Sequence, residues 1–311
     1  MKVYRSIDHF PSDINTVITI GTFDGLHKGH QFILNRLNEI AKKKKAESVL
    51  LTFFPHPRHV LFHEDQSLKL LNTIDEKIKE LEKFGIDHFI IHDFTKEFSR
   101  TKPLNFVRDI LVNKLSMRYM VVGYDHHFGR NREGSFDELK ELTQLYDFEL
   151  EEIPAQEAKD VTISSTKIRK ALLNGEIEKA NLLLGYNYLI SGKVMHSNKI
   201  GRKIGFPTAN IQVGNNNKLV PKDGVYAVEV DVSSKKYYGM MNIGFRPTLN
   251  NSHHQIEVNI FDFSKQIYGQ QIYIRLIKRI RAEKKFRDIK SLQNQLVKDK
   301  NKCKIFFKIT T

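Results

Sequence analysis

Hydrophobic and polar positions change rhythm once along the 311-residue chain. In the first half, short runs rich in β-branched and aromatic residues, at 17–20, 49–53, 88–92, 119–123 and 148–153, alternate with segments of helical period. The helices carry readable ends. Thr73 and Glu76 form a capping-box pattern before "IKELEKF", with Gly85 as the stop, and Ser135 with Glu138 repeats the box before "LKELTQLY". Such βαβ punctuation predicts a mostly parallel, doubly wound α/β sheet whose ligands gather at the carboxyl ends of its strands.

Past two further helical stretches at 168–173 and 177–184, glycine, proline and strict alternation take over: "YLISGKVMH", "GVYAVEVDVSSKKYYGMMNIG", "QIEVNIFDF" and "QIYIRLIKRI". These segments predict antiparallel strands of a small β-barrel, closed by a C-terminal helix near 289–297. The change falls near Leu184 or Gly185, which predicts domains at 1–184 and 185–311. The expected fold class is therefore α/β plus β. No internal repeat or low-complexity linker separates the halves.

Length agrees with two domains, each able to bury its own core. No segment approaches the ~18 uninterrupted apolar residues of a membrane span, and the polar start "MKVYRSIDHFPSDIN" lacks the apolar stretch of a secretory signal, so a cytoplasmic protein is expected. Cys303 is the only cysteine, which rules out an internal disulfide and a thiolate zinc site and leaves a packing role as the expectation. Lysine and arginine exceed aspartate and glutamate by 50 to 36, a formal charge of +14. That field attracts nucleic acid, anionic membrane and phosphorylated small molecules alike. Its densest run, Lys42 to Lys45, falls where the first long helix should end, where cations are favoured for reasons unrelated to any partner.

The stretch "VITIGTFDGLHKGHQFILNRL" holds the first candidate chemistry. Gly21 ends a strand, Gly25 and Gly29 keep the connection bare, and a helix starts close to His30, with Phe32, Ile33, Leu37 and Ile40 expected on its buried side. Free N–H groups at a helix start attract anions, and glycine lets a phosphate approach the backbone. The loop is neither G-x-x-x-x-G-K-[ST] nor G-x-G-x-x-G, so the histidines must do more. His27 and His30 are three apart and can face one bound group; phosphate charge nearby favours their protonated forms, which donate to oxygens that gain charge during attack at phosphorus. Taken alone, the pair is as well read as a helix cap beside an exposed ring, or as half of a metal site.

A second candidate is "GRKIGFPTANI", a glycine-rich turn leading into Thr208 and Asn210, which share a face if extended. Hydroxyl and amide oxygens suit Mg²⁺, which takes its other ligands from nucleotide phosphates and water. By itself P-T-A-N reads as a turn, and Glu257 reads as one polar tooth of an alternating strand beside Asn259.

The motifs are not isolated. G-x-F-D-G-x-H-x-G-H, "TFFPHPRHVL", "VGYDHHFGRNREG" and "ISSTKIRKAL" resemble the nucleotidyltransferase superfamily, and more closely the N-terminal half of bacterial bifunctional riboflavin kinase/FAD synthetases. "SGKVMHSNKIGRKIGFPTANI", "PKDGVYAVEV", "GMMNIGFRPTLN", "IEVNIFDFSKQIYGQQI" and "RIRAEKKF" are similar to the riboflavin kinase half, so the resemblance spans essentially the whole chain. It implies a Rossmann-like sheet that adenylylates FMN to FAD and a barrel that phosphorylates riboflavin to FMN, with ATP as co-substrate of both and Mg²⁺ as cofactor.

For the first half the resemblance implies ATP contacts from Gly21, Phe23, Asp24, Gly25, His27, His30, Ser164, Ser165, Thr166 and Arg169. Flavin contacts are implied for Phe54, His56, Pro57, Asp125 and Phe128. For the second half it implies ATP contacts from Gly201, Arg202, Gly205, Thr208 and Asn210, with Thr208 and Asn210 holding the Mg–ATP complex. Glu257 is implied as catalytic base, and Asn242, Arg281 and Phe286 as flavin contacts. His126, Ser197 and Asn259 depart from residues common in the family. The implied partners are small-molecule substrates, with no nucleic acid and no membrane, and self-association is left open. Retention of only one activity, or a basic nucleic-acid-binding protein built on a similar fold, are the alternatives; the latter finds no RNP-type aromatic run and no G-x-x-G clamp.

Overall fold

The computed structural model describes residues 1–62, 64, 67–123, 134, 136–153, 163–196, 200–245 and 254–309. Asp125, His126, Phe128, Ser135 and Ser197 lie outside them. Packing divides the chain into two compact units, one of residues 1–69 and 77–164, the other of residues 70–76 and 165–311. Residues 165–184, which precede the change of rhythm, thus pack with the second unit.

The first unit is a six-stranded sheet in the order β1-β4-β3-β2-β5-β6, built from β1 (Lys2–Tyr4), β2 (Thr16–Ile20), β3 (Glu47–Phe54), β4 (His88–Asp93), β5 (Met117–Gly123) and β6 (Glu149–Ile153). Every pairing is parallel. Strand order runs one way from β2 to β3 and the other way from β2 to β5, so the switch point of the sheet lies at the carboxyl end of β2. All five residues of β2 are buried, as a strand covered on both faces requires. β1, three residues long and mostly exposed, offers no pattern and was not expected.

Helix α1 (Lys28–Lys44) crosses between β2 and β3. It buries Leu34, Leu37, Ile40 and Ala41, whereas Phe32 is 38% exposed, which corrects the expected face. The helix begins at Lys28, close to His30, and at 3.6 residues per turn Phe32 points about 140° away from Leu37, off the row of Leu34, Leu37 and Ala41. Lys42, Lys43 and Lys44 form its last turn, and Lys45 ends it in the left-handed conformation. Short helix α2 (Pro57–Leu61) follows β3. The capping box before α3 (Ile74–Leu81) is formed in both directions: the Thr73 amide donates to Glu76 Oε2 at 2.9 Å, and the Glu76 amide to Thr73 Oγ1 at 3.2 Å. Between β4 and β5, where the pattern gave no named element, helix α4 (Pro103–Asn105) opens into a π-helical run, Phe106–Lys114. Its Phe106, Val107, Ile110 and Leu111 pack on Ile18, Ile20, Val49, Leu51, Ile90 and Val122 of the sheet. Helix α5 (Phe136–Tyr146) leads into β6.

The second unit opens with α6 (Ser165–Asn174) and α7 (Ile177–Leu184), then closes a barrel in the order β10-β11-β8-β7-β12-β9. Its strands are β7 (Leu189–Met195), β8 (Ala209–Gln212), β9 (Gly224–Val232), β10 (Lys235–Phe245), β11 (His254–Ile260) and β12 (Gln271–Arg281), all antiparallel. A short helix, α8 (Ile200–Lys203), sits in the β7–β8 connection. Helix α9 (Ile289–Phe307) is about twice as long as the pattern suggested and covers Phe206, Val225, Ala227, Met240 and Phe261 with Cys303, Leu296 and Phe307. Cys303 is wholly buried, and burial pushes its thiol up to about 12, so it packs rather than reacts. Among the described residues no helix is long and apolar enough to cross a membrane.

Candidate active sites

The switch point of the sheet carries the histidine loop. Gly21 leaves β2 with its amide on the Leu51 carbonyl at 3.1 Å. The chain then takes positive φ at Phe23 (44°), Gly25 (91°) and Leu26 (40°) before α1 starts. Two non-glycine residues in that region within one loop are uncommon, and such strain gathers at binding sites. His27 is the N-cap of α1, its Nδ1 accepting the His30 amide at 3.4 Å. A neutral His27 therefore carries its proton on Nε2.

The His27 and His30 rings stack, with centroids 3.7 Å apart and planes 15° from parallel, and Phe23 lies 4.7 Å from His30 on centroids. A Cβ on Gly29 would sit 3.3 Å from the His27 ring, so glycine there leaves the imidazole its place. His30 Nδ1 is shut from solvent with no hydrogen-bond partner among the described residues, which suits a group awaiting a ligand. Burial, then the charges of His27 and Lys77, hold the His30 imidazole well below its usual range, so it is neutral without a ligand. The whole arrangement, a long helix's free N–H groups with two imidazoles, has the donor chemistry that suits an anion.

Lys77 belongs to this site and no sequence pattern marks it. In "TIDEKIKEL" it looks like one more charge on a solvated helix face. Instead it is 6% exposed and its Nζ donates to the Thr22 carbonyl at 2.5 Å. Burial pushes it down to about 8, opposed by the charge of Asp24, itself 4% exposed.

Phe54 ends β3 and is 39% exposed, His56 caps α2 by accepting the Arg58 amide at 3.2 Å, and Pro57 opens α2. All three stand at the carboxyl end of β3, on the ligand edge of the sheet. Ser164 closes the first unit, while Ser165, Thr166 and Arg169 lie on the first turns of α6 in the second.

In the barrel, residues from three separate motifs share one level of the sheet. Glu257 on β11 is the direct partner of Asn210 on β8 and of Asn242 on β10, so the three side chains share a face across three adjacent strands. Thr208 Oγ1 donates to Glu257 Oε2 at 3.3 Å, and Asn210 Oδ1 accepts from Gln255 Nε2 at 2.6 Å. Gln255 and its role were not legible in sequence. The face is the outer one, opposite buried Ile256 and Val258 and continuous with Met240, which packs beneath α9.

The glycine-rich turn before Thr208 has a steric cause. A Cβ on Gly201 would lie 2.3 Å from the Phe206 carbonyl oxygen and 3.2 Å from Thr208 Oγ1, and Gly205 has φ +82°. Glycine at 201 therefore lets the turn fold against the Thr208 segment, and Arg202 stays exposed. Asn259 donates from Nδ2 to the Pro207 carbonyl at 2.7 Å, so this departure from the family pattern is accommodated by a bond that steadies the same segment. Arg281 is clamped by buried Asp299 at 2.8 Å and lies 5.8 Å over the Phe286 ring. Asp299, hidden among the lysines of α9, is another residue the pattern did not mark.

Among the described residues no group of three or more His, Cys, Asp or Glu side chains is placed to hold a metal. Thr208, Asn210 and Glu257 can each offer a side-chain oxygen, the donor type that suits Mg²⁺ bound together with phosphate oxygens.

Comparison with known proteins follows the same division. The FAD synthetase family model matches residues 9–167 and the riboflavin kinase model residues 184–307. Bifunctional riboflavin kinase/FMN adenylyltransferases from Listeria monocytogenes and Escherichia coli are 40% and 36% identical, with 95% and 100% of this chain and 94% and 99% of theirs covered. A solved chain from Streptococcus pneumoniae, described as a macrolide-efflux protein, is 31% identical with a TM-score of 0.85, covering 96% of this chain and 97% of its own. Matched from end to end in both halves and in the same order, the chain belongs to the family of bifunctional riboflavin kinase/FMN adenylyltransferases.

Proposed function

We propose that the chain makes FAD from riboflavin with two molecules of ATP, one in each unit. In the barrel, Glu257 takes the proton of the riboflavin ribityl hydroxyl as its oxygen bonds to the γ-phosphorus, and the bond to the β-phosphate oxygen breaks to release ADP. Thr208 and Asn210 hold the Mg–ATP complex, with Gly201, Arg202 and Gly205 in the turn that carries the phosphates. Bound Mg²⁺ offsets phosphate charge. Asn242, Arg281 and Phe286 face the flavin.

In the parallel sheet, an oxygen of the FMN phosphate bonds to the α-phosphorus of the second ATP, and the bond to the β-phosphate oxygen breaks to release pyrophosphate. His27 and His30 donate to the oxygens that gain charge, so no covalent enzyme intermediate is needed. Gly21, Phe23, Asp24 and Gly25 line the approach, Ser164, Ser165, Thr166 and Arg169 contact the phosphates, and Phe54, His56, Pro57, Asp125 and Phe128 contact the flavin. Because His30 is neutral without ligand, the triphosphate must bring the charge that lets it bind a second proton.

The observation that carries this reading is the meeting of Thr208, Asn210, Asn242 and Glu257 at one level of the barrel, since three distant motifs converge there as phosphoryl transfer requires. Domains at 1–184 and 185–311, a cytoplasmic location, use of Mg²⁺ and the absence of a nucleic-acid partner are parts of the same proposal. Incubation with riboflavin, ATP and Mg²⁺, followed by chromatography, tests it. FMN should rise first and then yield FAD; FMN without FAD removes the adenylyl step, and no turnover removes both.

A further inference from the structure

Lys77 and Lys218 are both nearly buried, at 6% and 3% exposure, but only one is fully satisfied. Lys218 Nζ donates to the Leu71 and Leu189 carbonyls and to Glu76 Oε2, each at 2.6 Å, and lies over the Tyr188 ring. All three donors of its ammonium are used, and its role is structural. Lys77 has a single hydrogen bond among the described residues, to the neutral Thr22 carbonyl, while Asp24 opposes its charge through space. A buried ammonium held so sparingly is costly, and an apolar side chain would fill the space with no such penalty.

What stands beside it is the strained loop. Thr22 precedes three positive-φ residues, Phe23, Gly25 and Leu26, and such a backbone persists only when its surroundings over-determine it. Its holding contacts include Gly21 N–H to the Leu51 carbonyl, Leu26 N–H to the Phe23 carbonyl at 3.3 Å and Gln31 Nε2 to the Leu26 carbonyl at 2.7 Å, and the Thr22 carbonyl accepts from Lys77 Nζ at 2.5 Å and, more weakly, from Thr52 Oγ1 at 3.5 Å. The charge of Lys77 also reaches His30.

We propose that Lys77 is a positioning residue for adenylyl transfer: it fixes the Thr22 carbonyl beneath the loop that carries His27 and His30, and gives that loop a buried positive charge. The inference rests on assigning adenylyl transfer to the first unit. The charged groups that face one another here are Lys77 from α3, Asp24 from the loop, and His27 and His30 from its junction with α1. Lys77 keeps its proton up to about 8, so its charge is present at neutral pH and lost above that value.

The test uses the full chain, with FMN adenylylation and riboflavin phosphorylation assayed side by side. Lys77→Met should lower kcat for FAD formation by about 10²-fold with a much smaller change in KM for ATP, and leave riboflavin phosphorylation intact. Lys77→Gln, which keeps a donor but no charge, should recover only part of that loss. In the unaltered chain, kcat/KM for adenylylation should fall as pH rises through about 8, since that ratio reports the free enzyme. NMR of the His30 ring should show its protonation midpoint moving to higher pH in Lys77→Met, which a purely structural loss would not produce.

Adenylylation at the unaltered rate in Lys77→Met, or a kcat/KM profile flat through pH 10, would overturn the proposal. If Lys77→Met loses both activities through misfolding, that profile and Lys77→Gln decide the matter. A His30→Asn chain separates the two levels of inference: if it still makes FAD, the assignment of the site fails, whereas FAD lost in His30→Asn but not in Lys77→Met removes only the role of Lys77.

Discussion

The groups proposed to meet phosphate are of opposite kinds in the parallel sheet and in the barrel. In the sheet they are main-chain N–H groups at the start of α1 and two stacked imidazoles, donors that need no metal to meet an anion. In the barrel they are amide groups and a carboxylate at facing positions of β8, β10 and β11, with the Thr208 hydroxyl just before β8, a set rich in oxygen that suits a phosphate accompanied by a cation. The difference follows from architecture. A doubly wound sheet presents a helix start at its switch point, whereas an antiparallel barrel presents side chains aligned across strands. It also matches the chemistry: displacement at an α-phosphate by an already ionised phosphate needs donors, and attack by an alcohol needs a base.

The sharpest way to break the comparison is at Glu257. Glu257→Gln keeps the shape of the side chain and removes the base, so riboflavin phosphorylation should fall by about 10²- to 10⁴-fold while FAD formation from supplied FMN is unchanged. Next is His30→Asn, for which FAD formation should fall by about 10²- to 10³-fold with phosphorylation intact. Steady-state assays of each reaction on each variant check both.

Buried charge distinguishes the units as well. Lys218→Met leaves Glu76 charged and fully buried without its partner, and should lower stability by about 3–5 kcal/mol, read as a lower denaturant midpoint with the slope unchanged. The smallest effect concerns pH. The His30 imidazole is held below its ordinary 6.5 in the folded chain, so between the two values the unfolded state binds more protons. Its contribution to stability is full above about 6.5 and declines as pH falls below it. His30→Asn should therefore flatten the dependence of the melting temperature on pH in that acid range; an unchanged slope would contradict a neutral, buried His30.

Much of this was legible in the chain because the needed signals are local. β2, β3, β4 and the glycine–histidine loop occupy consecutive residues, and the capping box at Thr73 and Glu76 needs only its own four positions. Glu257 was different: its place opposite Asn210 and Asn242 depends on strand register, which no single segment carries, so by itself it read as a polar tooth. Lys77 and Asp299 were illegible for a related reason. Charged residues on lysine-rich helices look solvated until packing buries them, here to 6% and 0% exposure. Phe32 failed on spacing, since five positions from Leu37 place it about 140° round the helix from the buried row.

The most direct test of two independent sites is a crossed time course: Glu257→Gln and His30→Asn, each supplied with ATP and Mg²⁺ and either riboflavin or FMN, with products separated by chromatography. The division of labour predicts that Glu257→Gln makes FAD from FMN but scarcely turns over riboflavin, while His30→Asn converts riboflavin to FMN and stops there. FAD accumulating from riboflavin at the unaltered rate in either variant would contradict it.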